Sequence, residues 1–167
     1  VIGVSLALEV PRLTCWCTEI DPRAAELTRR NARSHGVDAR LTVCEGSRFD
    51  PLPDYLRGTV DLVVSNPPYV RSGDIPELAR EVAEHDPPAA LDGGSDGLAF
   101  YHALAAGLVR WLRPGGAVAV EIGADQAAAV VEILGASGAE APQVLQDYAG
   151  RDRVVTARLG DMEVENG

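Results

Sequence analysis

The chain has 167 residues, 46% of them hydrophobic, enough for one domain in which roughly 70% of the unfolded surface is buried. Its formal net charge of −10 argues against a nucleic-acid grip built on bulk positive charge, which normally shows a basic stripe, though it leaves room for a small basic patch; all fifteen positive charges are arginine, a composition bias more than chemistry. Cys15, Cys17 and Cys44 are too few and too poorly spaced for a disulfide framework or a four-ligand zinc site, so no metal is expected and the thiols read as free in a reducing cytoplasm. The opening run Val1 to Leu8 is apolar but lacks a charged leader, and it falls short of the ~20 residues that span a bilayer.

In chain order, Val1 to Glu9 has helical character and is closed by Pro11. No cap residue or turn precedes Val1, so the sequence is expected to open inside an element. Leu13 to Thr18 is rich in strand formers. Asp21-Pro22 then supplies an N-cap and a proline at the first helical position, for a helix that runs to about His35 and stops at Gly36. Leu41 to Cys44 is a second strand leading into the turn Glu45-Gly46-Ser47-Arg48-Phe49, and Asp50 to Gly58 is a loop. Val60 to Ser65 is nearly all apolar, as expected of a parallel strand covered on both faces.

The segment from Arg71 to Asp96 reads as a long loop with a short helix near Pro76 to Ala83. Leu98 to Leu112 is a helix stopped by Arg113-Pro114-Gly115-Gly116. Ala117 to Ile122 is a buried strand, and Ala124 to Leu134 a helix ending at Gly135. Val144 to Tyr148 and Arg153 to Leu159, separated by Gly150-Arg151-Asp152, form a hairpin. Alternating helix and strand with an antiparallel end predict a three-layer α/β fold with a mostly parallel sheet over residues 1–160, followed by an acidic tail, 161–167.

The strand Val60 to Ser65 ends in Asn66-Pro67-Pro68-Tyr69. Two prolines lack N–H groups and press the preceding residue into extended geometry, so the strand stops and leaves this rim at its carboxyl edge, where open α/β sheets bind ligands. Restricted backbone of this kind tends to persist where it positions a site. The Asn66 side-chain oxygen and the Pro67 carbonyl can accept the two hydrogens of a planar amide or amine, and Tyr69 can pack on its flat face. Held so, the nitrogen lone pair points at an electrophilic methyl group, which is catalysis by proximity and orientation.

Glu19, just past the first strand, can accept hydrogen bonds from the hydroxyls of a nucleoside ribose; the alternative is a solvated acid favoured by a helix start. Phe49 either covers an adenine ring or plugs the core. No Ser-His-Asp or Cys-His set competes: His35 sits at a helix end, His85 in the charged loop beside a prospective substrate, and His102 on a helix.

These residues carry a resemblance to class I S-adenosylmethionine-dependent methyltransferases, and within them to the release-factor glutamine N5-methyltransferases (HemK/PrmC type). It rests on Glu19-Ile20-Asp21-Pro22, Arg30-Asn31-Ala32, Glu45-Gly46 and Val64-Ser65-Asn66-Pro67-Pro68-Tyr69-Val70. It continues through Glu81-Val82, His85-Asp86-Pro87, Ala90-Leu91-Asp92-Gly93-Gly94, Asp96-Gly97-Leu98, Arg113-Pro114-Gly115-Gly116, Glu121-Ile122-Gly123 with Gln126, and Asp147 with Gly150-Arg151-Asp152-Arg153-Val154. The tetrapeptide is shared with enzymes that methylate amino groups of nucleic acids, whereas the Asp-Pro and Ala-Leu-Asp-Gly-Gly stretch points to the glutamine methylators.

The resemblance implies a Rossmann-like methyltransferase fold with S-adenosyl-L-methionine as cofactor, its ribose on Glu19 and its adenine at Ser47 and Arg48. It implies that Asn66, Pro67, Pro68 and Tyr69 hold the glutamine of a Gly-Gly-Gln loop in a peptide chain release factor, with Asn66 also beside the cofactor. Ser47 stands where the family usually has aspartate, so the adenine contact is weaker or made otherwise. The family's first strand and glycine-rich turn would lie immediately before Val1, so the chain is expected to be an N-terminally truncated or mis-started member with weak or no cofactor affinity by itself. The Leu13 and Val60 strands, neighbours of that strand in the family, are then expected either to pair directly or to leave a loosened gap. The alternatives are an enzyme methylating adenine or guanine, and a non-catalytic fragment of the fold.

Overall fold

The structure, a computed structural model, describes residues 1–78 and 87–160. The chain divides into two compact units, Val1–Leu56 and Arg57 onward. In the first, α1 (Ile2–Glu9) is followed by β1 (Cys15–Glu19), α2 (Pro22–Ser34) and β2 (Leu41–Glu45), and β1 and β2 pair in parallel with Glu19 opposite Glu45. A parallel pair needs a crossover, which α2 provides. Its start is fixed as the sequence predicts: Asp21 Oδ1 accepts from the Arg23 N–H at 2.8 Å, and Pro22 fills the first turn. At its other end Gly36 takes φ +67°, and the Val37 N–H returns to the Ala32 carbonyl at 3.0 Å.

The core of this unit gathers Val4, Ala7, Ala32, Val37 and Leu41. Helix α1 comes so close to β1 that a Cβ at Gly3 would overlap the Cys17 sulfur. Arg40 donates to the carbonyls of Ala7 (2.8 Å), Leu13 (3.1 Å) and Val10 (3.3 Å), placing a cation at the carboxyl end of α1 where helix carbonyls lack partners. The three cysteines are free; Cys15 and Cys17, two apart on one strand face, bring their sulfurs to 3.7 Å. Their hydrogen bond favours the Cys15 thiolate and, together with burial, pushes the Cys17 thiol up.

The second unit holds β3 (Val60–Ser65), α3 (Pro88–Leu91), α4 (Ala99–Trp111), β4 (Leu112–Glu121), α5 (Ala127–Ala136), β5 (Ala139–Gln146) and β6 (Asp152–Leu159). Its sheet has the order β3-β4-β6-β5, with β3 parallel to β4 and β6 antiparallel to both β4 and β5. Tyr101, Leu108, Val118, Val120, Val130 and Val155 are fully buried at its centre. Within the units, β1 pairs with β2 in the first and β3 with β4 in the second.

Several expectations are corrected. Strand β3 is not covered on both faces: Leu62 and Val64, two residues apart and so on one face, are 43% and 38% exposed. Arg113-Pro114-Gly115-Gly116 does not separate helix from strand. It is an outward bulge inside β4, since Val60 pairs with Leu112 while Leu62, two residues on, pairs with Ala117. Helix α5 begins at Ala127, three residues later than the sequence suggests, because the Gln126 side chain accepts from the Gly123 N–H at 2.9 Å and holds the intervening residues as a turn. The helix expected near Pro76 to Ala83 is, in its described part, a short 3₁₀ turn, Ile75–Glu77, that ends at extended Leu78; residues 79–83, His85 and the acidic tail lie outside the described residues. His102 is exposed on α4. Among the described residues no helix is long and apolar enough to cross a membrane, and no group of three or more side chains could hold a metal ion.

The β5–β6 hairpin is closed by Asp147, whose Oδ1 accepts from the N–H groups of Ala149 (2.8 Å) and Arg151 (3.0 Å). These bonds hold the carboxyl below the usual carboxylate range. A carboxyl depressed by folding stabilises the folded state above its unfolded pKa, and that contribution is lost as pH falls through the folded value. Asp147→Ala is therefore expected to lower stability at neutral pH, with the deficit shrinking under acid; urea titrations at both pH values measure it.

Candidate active site

Two sets of residues singled out by sequence lie at carboxyl ends of parallel strands, one in each unit. In the first unit Glu19 ends β1, and its Oε1 accepts from the Asp21 N–H at 3.0 Å. The Gly46 N–H donates to the Glu19 carbonyl at 2.9 Å, so the turn leaving β2 starts beside Glu19. That turn bends sharply, with Gly46 at φ +148° and Arg48 at φ +48°, a conformation that non-glycine residues rarely adopt. The Asp50 N–H closes it on the Ser47 carbonyl at 3.0 Å. Glu19, Ser47, Arg48 and Phe49 thus share one strand edge, each of them half-buried.

In the second unit Asn66 leaves the end of β3 exposed, Pro67 is buried, and Pro68 and Tyr69 are half-buried. Behind this turn lies the Ala-Leu-Asp-Gly-Gly stretch. The Val70 N–H donates to the Leu91 carbonyl at 2.9 Å and the Gly93 N–H to the Val70 carbonyl at 2.8 Å, a parallel bridge of Val70 with Asp92. Asp92 accepts from Ser72 Oγ (2.7 Å) and from the Gly94 N–H (2.9 Å), which hold its carboxyl below the usual range. A Cβ at Gly93 would stand 2.9 Å from the Pro68 carbonyl oxygen, and one at Gly97, itself at φ +76°, 2.5 Å from that of Tyr69. Both positions therefore require glycine for the two backbones to meet.

Gln126 completes the support. It is 4% exposed, and its Nε2 donates to the carbonyls of Tyr69 (3.0 Å) and Gly97 (3.3 Å). The Tyr69 hydroxyl lies between Arg153 Nη1 (3.2 Å) and Glu121 Oε1 (3.4 Å). Fully buried Tyr101 donates to the Glu121 carbonyl at 2.9 Å, and burial raises its phenol. Sequence reasoning from the residues assigns no role to Gln126, Glu121 or Arg153; the signal is their place in the quoted motifs.

Strand-end turns on a partly parallel sheet are where open α/β folds bind ligands, and solved methyltransferases share this fold. A methyltransferase from Pyrococcus furiosus superposes with a TM-score of 0.67 at 19% identity, over 93% of this chain and 68% of that one. An RNA methyltransferase from Salinibacter ruber, solved with S-adenosyl-L-homocysteine, does so with a TM-score of 0.56 at 18% identity, over 99% and 77%. The chain belongs to the methyltransferase small domain family, whose model matches residues 1–95. It is 44% identical over 159 residues to the release factor glutamine methyltransferase of Geobacter sulfurreducens, covering 95% of this chain and 54% of that protein. The corresponding protein of Moorella thermoacetica is 44% identical over 158 residues, covering 93% and 54%. The chain thus spans about half the length of the curated relatives it matches.

Proposed function

We propose that this chain serves the transfer of a methyl group from S-adenosyl-L-methionine to the side-chain amide nitrogen of a glutamine in the Gly-Gly-Gln loop of a peptide chain release factor. The observation that carries the reading is the Asn-Pro-Pro-Tyr turn, backed by the Asp92-Gly93-Gly94 bridge and by Gln126. Its relatives named for glutamine methylation support the choice of acceptor.

The first-unit edge fits the cofactor. Glu19 is a half-exposed carboxylate at a strand end, suited to a ribose diol, and the bent Ser47-Arg48 backbone beside it suits a flat base. When bound, S-adenosyl-L-methionine supplies a methyl group on a positively charged sulfur. The chain's own residues act on the acceptor: the Asn66 oxygen and the Pro67 carbonyl take the two amide hydrogens, and the Tyr69 ring covers the amide plane. An amide nitrogen is a poor nucleophile, and fixing its hydrogens directs what lone-pair density it has toward the methyl carbon. With that group bound, the nitrogen–carbon bond would form as the methyl–sulfur bond breaks, the sulfur leaving as a neutral thioether, and the amide nitrogen would release one proton to solvent.

Incubation of the protein with methyl-labelled S-adenosyl-L-methionine, a bacterial release factor and, separately, RNA and DNA tests the acceptor class. Label in the release factor alone is expected; label in nucleic acid would overturn the reading in favour of an amino-methylating enzyme acting on bases, and label in neither in favour of a non-catalytic fragment.

A further inference from the structure

Tyr69 is gripped at both ends by residues far away in sequence. Its carbonyl accepts from Gln126 Nε2, which fixes the backbone of the turn. Its hydroxyl accepts from Arg153 Nη1 and donates toward Glu121 Oε1, so the donor and an acceptor site of the phenol are both engaged. Arg153 and Glu121 also pair with each other at 3.5 Å, and Arg153 reaches toward the Ile122 carbonyl at 3.5 Å and Asp147 Oδ2 at 4.0 Å. Their position follows from the sheet: Glu121 ends β4, and it pairs in register with Val154, next to Arg153 on β6.

The Arg153 and Glu121 side chains are 37% and 31% exposed. An ion pair open to solvent to that degree contributes little to stability. Its consequence lies in geometry: with the phenol oxygen held between the two charges, the ring axis has one direction, whereas a half-buried tyrosine without them could swing about its first side-chain torsion. We propose that Arg153, with Glu121, is a positioning residue that sets the direction of the Tyr69 ring over the acceptor amide. The proposal rests on the function proposed above, since it is the glutamine amide that the ring must face.

The test uses the 167-residue chain and a Gly-Gly-Gln peptide. Three-bond couplings of Tyr69, isotope-labelled and assigned through Tyr69→Phe, report the torsion, and peptide titration reports affinity. Arg153→Leu keeps the aliphatic stem and removes the donors. It is expected to turn a single Tyr69 rotamer into an average and to weaken the peptide roughly three- to tenfold, with Arg153→Lys recovering part of both. In a Tyr69→Phe background Arg153→Leu is expected to change affinity no further, which a general loss of structure would not produce. A single rotamer retained in Arg153→Leu, or an equal loss of affinity in the Tyr69→Phe background, would overturn the proposal. No peptide binding by the unsubstituted chain would count against the proposed function itself, and the couplings then decide alone whether Arg153 restrains the ring.

Discussion

Replacing Asn66 by alanine is expected to lower methyl transfer by about 10²–10³ relative to the unsubstituted protein, the range found on removing one preorganised polar contact from a reacting centre. Pro67 restricts Asn66 to extended backbone, so the amide side chain projects from a stiff base at the end of β3. Without its oxygen only the Pro67 carbonyl is left to accept from the substrate NH2 group, which can then turn its lone pair away from the methyl carbon. Because Asn66 is exposed, stability should change little, so the effect should fall on turnover more than on folding. Steady-state kinetics alongside thermal melting separate the two; near wild-type turnover would rule out the clamp.

Gln126→Leu is expected to lower stability by roughly 3 kcal/mol or more, because it strands three polar groups and each one left unsatisfied when buried costs about 1–3 kcal/mol. It leaves the Gly123 N–H and the Tyr69 and Gly97 carbonyls without their side-chain partner, at a position only 4% exposed. Gln126→Glu preserves the volume and separates volume from hydrogen bonding. An ionised carboxylate can still accept from Gly123, but it donates to neither carbonyl and carries a buried charge. Its folded-state pKa would be raised, so the damage is present at neutral pH and recedes as acid protonates the group. Denaturant titration of both variants at neutral and acid pH measures this: Leu should be insensitive to pH, Glu should recover.

The parts of the fold written in short stretches were legible. Asp21-Pro22 and Gly36 bracket α2 because capping and left-handed backbone are properties of a few adjacent residues. The prolines that end β3 act the same way. What escaped was whatever depends on distant partners. The apolar run of β3 suggested two covered faces, but coverage of a face depends on what distant parts of the chain pack against it, which a local run does not encode. Arg113-Pro114-Gly115-Gly116 has turn chemistry, and only pairing with β3 makes it a bulge. At the candidate site the rim itself was legible in Asn66 to Tyr69, whereas its support was not, since Gln126 and Arg153 lie 57 and 84 residues from Tyr69. The resemblance named those residues; only the structure gives them bonds.

The central claim is that the Asn66–Tyr69 rim takes a glutamine amide. Titrating the isotope-labelled chain with a Gly-Gly-Gln peptide, and in parallel with a Gly-Gly-Glu peptide that lacks the NH2 group, tests it most directly. The account predicts that the first shifts the resonances of the Asn66 side-chain amide and the Tyr69 ring while the second leaves them in place. Equal responses to the two peptides, or shifts confined to other residues, would contradict it.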